Sequence, residues 1–172
     1  MEKFQITVEG YKKLKAQLEK LKNEDRPNII KQIATARELG DLRENSEYHS
    51  AKDRQGFIEA QIADYEDKFI RAEVVDIGKI VSDKIKFGAT VTLENLDNQK
   101  NIKYKIVSEF EANIDEGLIS INSPVARALI GKEVGDDVEI KTPGGEVNYE
   151  ILRKLDNLES NGKIYQRKSL HD

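Results

Sequence analysis

The sequence predicts an α+β protein: a long N-terminal antiparallel coiled-coil hairpin, followed by a small globular domain with a mostly antiparallel sheet. Two observations carry this. Through residues 1–75, apolar side chains recur at steps of three and four, which is the spacing of one helix face. From about Val74 the pattern changes to short β-type runs separated by turn residues. The boundaries follow as 1–75 for the hairpin, 76–156 for the globular domain and 157–172 for a polar tail.

The first helix is expected to start after Thr7, a good N-cap because its hydroxyl can accept from the free amides of a first turn. Tyr11, Leu14, Leu18 and Leu21 then form a seam. Asp25 and Asn28 fall where apolar residues are due, and the face resumes at Ile29, Ile33 and Ala36. These steps amount to a stutter, and Pro27 in the same stretch lacks an amide proton, so a kink or restart is expected there. The second helix has the cleaner seam: Tyr48, Ala51, Gln55, Ile58, Ile62, Tyr65, Phe69 and Ala72. Between them, Gly40 suits a left-handed residue beyond a helix end, and the short connection makes the helices antiparallel. Taking Val8 to Glu38 as helical, an arm of roughly 45 Å results. Two helices alone bury little surface, so the arm is expected to project from another domain.

That domain contains expected strands at Ala89–Leu93, Lys103–Val107, Leu118–Ile121, Asp137–Ile140 and Val147–Leu152. One helix interrupts them, Pro124–Ile130. Ser123 stands at its N-cap, Pro124 at its first position and Gly131 just past its end.

Composition removes several function classes. Charged residues make up 35% of the chain, yet the net charge is −4, so it does not hold a polyanion simply by being basic. Without cysteine, and with only His49 and His171, disulfide frameworks, thiolate zinc sites and histidine-rich metal sites are out. No apolar stretch reaches the roughly 18–20 residues of a membrane span, and no signal-peptide pattern follows Met1. A cytoplasmic protein with no membrane partner is expected.

The hairpin tip concentrates charge: Arg37, Glu38, Asp41, Arg43, Glu44, Glu47, Lys52, Asp53 and Arg54. Two readings of Asp41 and Glu44 stand side by side. Asp-x-x-Glu at a helix start resembles a capping box, with carboxylates also favoured by the positive end of the helix dipole. Alternatively, both face outward and supply oxygen ligands to a hard cation such as Mg²⁺, whose remaining ligands come from elsewhere. Such a half-site works only beside a second metal centre, where two ions share an in-line phosphoryl displacement. Arg37, Lys52 and Arg54 are either a solvated face or phosphate contacts to an RNA backbone.

The segment Ala36-Arg37-Glu38-Leu39-Gly40-Asp41-Leu42-Arg43-Glu44-Asn45-Ser46-Glu47-Tyr48-His49 resembles the tip signature of the Gre transcript-cleavage factors, the GreA-like branch in particular. Phe87-Gly88-Ala89-Thr90-Val91, the run Ile119 to Lys132, and Lys141-Thr142-Pro143-Gly144-Gly145-Glu146 are similar to successive parts of that family's C-terminal domain. The likeness spans about Phe4 to Leu155.

This resemblance implies an FKBP-like C-terminal domain that docks at the secondary channel of bacterial RNA polymerase, with the coiled coil entering the channel. The implied function is transcription elongation: stimulating the polymerase's own cleavage of backtracked RNA 3′ ends, as an accessory factor rather than an enzyme. Asp41 and Glu44 match the acidic pair that shares Mg²⁺ with the polymerase; tight binding by the free protein is not expected. Arg37 and Lys52 match basic residues toward the nascent RNA 3′ end, and Asn122, Ser123 and Pro124 match the docking segment. No small-molecule substrate is implied. The alternative is a non-catalytic regulator that occludes the channel, for which the tip carboxylates are dispensable.

Overall fold

The computed structural model describes residues 2–75 and 82–155, together with the backbone of Ile164–Gln166. They form two compact units. One holds residues up to Phe4 and Glu9–Glu73, and the other holds Gln5–Val8 and the chain from Val74 onward.

The first unit is the helical hairpin. Helix α1 (Val8–Lys20) leads into a single π-type turn at Leu21–Asp25, and α2 (Arg26–Arg37) follows. The restart allowed for near Pro27 does not occur, because the chain stays helical through a widened turn. Asp25 and Arg26 keep right-handed helical dihedrals, and the Arg26 amide donates to the Leu21 carbonyl five residues back. Pro27, with no amide to donate, follows directly on the wide turn.

The widening also repairs the seam. Eight residues separate Leu21 from Ile29, and eight steps of about 100° overshoot two turns by roughly 80°. The wide turn absorbs that surplus. Leu14 and Leu18 before it, Leu21 at its start, and Ile29, Ile33 and Ala36 after it are all buried.

Helix α3 (Ser46–Arg71) returns antiparallel, and its seam follows the one the sequence indicates from Tyr48 to Phe69. Leu18 and Leu21 pack with Ile62, flanked by Ile58, Tyr65 and Phe69. Ile29 and Ile33 pack with Ala51, flanked by Tyr48 and Ile58. Tyr11 stacks on Phe69 with ring centroids 5.0 Å apart. Outside the seam, Lys22 pairs with Glu66 at 2.5 Å, and Arg26 grips Glu59 with two bonds of 2.8 Å. That bidentate bond, then the guanidinium charge, holds the exposed Glu59 carboxyl below its usual range.

Two short strands correct the expectation of an all-helical first segment. β1 (Phe4–Ile6) pairs with β2 (Ala72–Val74) where the chain enters and leaves the hairpin. At three residues each, they are too short to print an alternation. Ala72, read as the last seam position, already has an extended backbone with φ −70° and ψ 130°.

The second unit is built on a curled sheet with strand order β5–β4–β3–β7–β6. Its strands are β3 (Thr90–Asn95), β4 (Asn101–Val107), β5 (Leu118–Ser120), β6 (Asp137–Thr142) and β7 (Gly145–Leu155). All neighbours are antiparallel except β4 and β5. One face is apolar: Val91, Leu93, Ile106, Val138, Ile140 and Ile151 are buried on it. Helix α4 (Pro124–Leu129) adds Ala126 and Leu129 to the same core.

The register of β3 and β7 shifts between Thr92 and Leu93, a bulge that places Lys154 opposite the buried Val91. Lys154 is consequently buried, and its ammonium donates to the Ser82 carbonyl. Gly117 ends a 3₁₀ turn with φ +76°, and a Cβ there would lie 2.8 Å from the Lys103 carbonyl oxygen.

Within this unit, Glu111 gathers four donors. Its carboxylate accepts from the Thr7 amide at 3.3 Å and hydroxyl, and from the Ser108 amide and hydroxyl at 3.1 and 2.7 Å. The Thr7 hydroxyl thus has a donor role that the N-cap reading did not foresee.

Of the tail read as 157–172, all but Ile164–Gln166 lies outside the described residues. Those three form β8, antiparallel to β7.

Candidate functional site: the hairpin tip

The turn between α2 and α3 is organised by three local devices. First, α2 ends by tightening, with the Glu38 and Leu39 amides donating to Thr35 and Ala36 at 3.2 and 3.1 Å. Gly40 then takes φ +128°, a value that only glycine adopts without strain. Second, Asp41 starts a turn. Its Oδ1 accepts from the Arg43 amide at 3.0 Å, and its carbonyl accepts from the Glu44 amide at 3.3 Å. Third, Asn45 caps α3, its Oδ1 accepting from the Tyr48 amide at 3.0 Å.

These contacts exclude the capping-box reading of the acidic pair. The N-cap of α3 is Asn45, so Asp41 and Glu44 lie ahead of the helix and form no capping box. Both are exposed, on one short turn. The Glu44 carboxylate makes no hydrogen bond or ion pair among the described residues, and Asp41 uses one oxygen on Arg43. Oxygen donors are therefore left facing solvent.

No group of three or more Asp, Glu or His side chains that could hold a metal gathers among the described residues. The donor set suits a hard cation in kind, because both ligands are carboxylates. It does not suit one in number, since Mg²⁺ takes about six ligands in near-octahedral geometry. The tip alone offers part of a site.

Arg37 and Lys52 flank this turn from the two helices, both exposed. The Arg37 guanidinium lies 5.8 Å from the Tyr48 ring centroid, and the Lys52 ammonium donates to Gln55 Oε1 at 3.3 Å. Neither is committed to a carboxylate among the described residues, which leaves both available to a phosphate there. Leu39 and Leu42 are also exposed at the tip, 64% and 42% accessible, which charge-based reading passed over.

Asn122, Ser123 and Pro124 belong to the other unit, where they form the turn into α4. Ser123 acts as the N-cap, accepting from the Ala126 amide at 3.2 Å. The Asn122 amide donates to Ser120 Oγ at 3.1 Å, and the side chains of Asn122 and Pro124 are exposed. Of this trio, then, Ser123 is occupied in capping while Asn122 and Pro124 face outward.

Two family models cover nearly the whole described chain. Residues 4–74 match "Transcription elongation factor, N-terminal", and residues 80–153 match "Transcription elongation factor, GreA/GreB, C-term". The transcription elongation factor GreA of Phenylobacterium zucineum is 53% identical over 153 residues, covering 89% of this chain and 98% of that protein. The chain belongs to the GreA/GreB family of transcription elongation factors. Its similarity extends to GreA of Caulobacter vibrioides at 52% identity and of Pasteurella multocida at 51%, with 89% and 88% of this chain covered and 98% and 97% of theirs. Among solved structures, GreA factor homolog 1 (Gfh1) of Thermus thermophilus is 29% identical, covering 90% of this chain and 99% of that one, with a TM-score of 0.42.

The family assignment bears on the whole fold, because the matches run through hairpin and sheet unit alike. No helix among the described residues is long and apolar enough to cross a membrane.

Proposed function

We propose that this chain binds RNA polymerase at its secondary channel and stimulates the polymerase's own cleavage of backtracked RNA 3′ ends. The observation that carries this reading is the tip itself. Asp41 and Glu44 stand exposed on the turn of a helical hairpin, ahead of the helix cap, with ligand oxygens directed to solvent.

Asp41 and Glu44 would hold Mg²⁺ together with carboxylates of the polymerase. When bound there, the ion supplies charge stabilisation for an in-line attack of water on the RNA phosphodiester. The Glu44 carboxylate, without a partner among the described residues, is the one suited to orient that water or take its proton. Arg37 and Lys52 would meet the RNA backbone through phosphate contacts, which position the strand without reading its sequence. Asn122 and Pro124, exposed beside the capped start of α4, would contribute to docking on the polymerase rim.

The reading makes the chain an accessory factor. It supplies two carboxylates of a site whose remaining ligands belong to its partner, and no small-molecule substrate is involved.

The test is RNA 3′-end cleavage in a stalled, backtracked elongation complex with Mg²⁺. Wild type should accelerate cleavage, and Asp41→Ala or Glu44→Ala should abolish the stimulation while still competing with wild type for the polymerase. If the alanine variants cleave as well as wild type, the carboxylate assignment fails. If wild type only slows synthesis, the chain is a channel-occluding regulator instead.

A further inference from the structure

We infer that Asn45 is the positioning residue that fixes the Asp41–Glu44 turn in its working geometry, an inference that rests on the proposed role of those two carboxylates. Its amide faces two ways. Oδ1 accepts from the Tyr48 amide at 3.0 Å, which caps α3. Nδ2 donates to the Ala36 carbonyl at 2.6 Å, in the last turn of α2. One side chain thus joins the outgoing helix to the returning one and closes the segment Glu38–Glu44 from below.

The amide orientation is set by its partners, since only the nitrogen can donate to a carbonyl and only the oxygen can accept from an amide. Ala36 is a fixed anchor, 4% exposed, and its carbonyl also receives the Leu39 amide at 3.1 Å. At the far end of the turn, the His49 ring, through Nε2–H, donates to the Arg43 carbonyl at 3.3 Å. The acidic turn is held at both ends, while its carboxylates are left exposed.

Capping alone does not require asparagine. Ser and Asp cap helices about as well as Asn. Asp has no proton to give a carbonyl, and the serine hydroxyl is too short to cap Tyr48 and also reach Ala36. Only asparagine satisfies both partners. The second bond contributes nothing to starting α3, so its consequence lies in where the turn sits.

Groups behind metal ligands act on affinity and rate, and losing one typically costs about 10- to 100-fold in either. The decisive variant is Asn45→Ser, which keeps the cap and removes the bond to Ala36. In the stalled-complex assay, its maximal cleavage rate should fall about tenfold or more, and the Mg²⁺ concentration for half-maximal stimulation should rise by a similar factor. The protein concentration for half-maximal effect, and the helix content by circular dichroism, should match wild type. Asn45→Asp, which also caps, should behave in the same way.

Wild-type cleavage and Mg²⁺ dependence in Asn45→Ser would overturn the inference and leave the proposed function standing. So would a loss of rate with unchanged Mg²⁺ dependence, or one accompanied by lost helix content, because either marks a role in folding or docking alone. Failure of wild type to stimulate cleavage, or full activity in Asp41→Ala, would instead sink the reading on which the inference rests.

Discussion

Ile33→Ala tests how the distal half of the hairpin is held together. Ile33 is 7% exposed and packs with Ile29 and Ala51 in the cluster nearest the tip. The substitution removes three carbons, worth about 0.8 kcal/mol each for transfer out of water, or roughly 2.4 kcal/mol in all. A cavity term would add to this in a closed core. A two-helix hairpin has no second layer to enclose a void, so the expected loss stays near 2–3 kcal/mol. In native-state hydrogen exchange, that loss corresponds to about a fiftyfold acceleration of the α2 and α3 seam amides. Amides of β3 and β7 belong to the other unit and should keep wild-type protection. Acceleration of less than about fivefold would refute the packing argument. Equal acceleration in the sheet would show that the hairpin does not open by itself.

Two further outcomes test the second unit. Gly117→Ala imposes a left-handed strain of about 1–2 kcal/mol and a 2.8 Å contact with the Lys103 carbonyl, whereas Gly131→Ala at φ +86° meets open space and carries the strain alone. Denaturant titration should therefore rank Gly117→Ala below Gly131→Ala, and equal midpoints would refute the steric argument. Glu146→Gln should raise the melting temperature at neutral pH. A hydrogen bond shared with Glu139, then its like charge, hold the Glu146 carboxyl above the usual carboxylate range. A raised carboxyl binds its proton in the folded state where the unfolded chain has lost it, so stability falls as pH rises through that window. The advantage of glutamine should vanish below the usual carboxylate range, and persistence there would refute the charge argument.

The hairpin was legible because both its signals are local. A seam at steps of three and four survives in the sequence whatever the rest of the chain does, so Leu14 to Ala36 and Tyr48 to Phe69 were identified by spacing alone. The stutter near Pro27 was legible as a fault but not in form. A restart and a π-type turn leave the same mark in sequence, and the Arg26-to-Leu21 bond distinguishes them. The strands of the sheet were located to within a few residues, since each is bounded by turn residues. β1 and β2 were not, because a three-residue strand is defined by its partner.

The acidic pair divides along the same line. Sequence placed Asp41 and Glu44 at a helix–helix connection and marked them as either caps or ligands, since the two uses demand the same residue types at the same spacing. The choice waited on where α3 begins, and that depends on the Asn45 side chain accepting from the Tyr48 amide. The burial of Lys154 depends likewise on a bulge in the register of two strands far apart in sequence. Periodicity, caps and turn residues are properties of neighbours along the chain, and the sequence by itself determined those: an acidic-tipped hairpin, a mostly antiparallel sheet and the helix beginning at Pro124. Which carboxylates are left free, which lysine goes inside and which asparagine spans two helices are long-range pairings, and only the tertiary structure decided them.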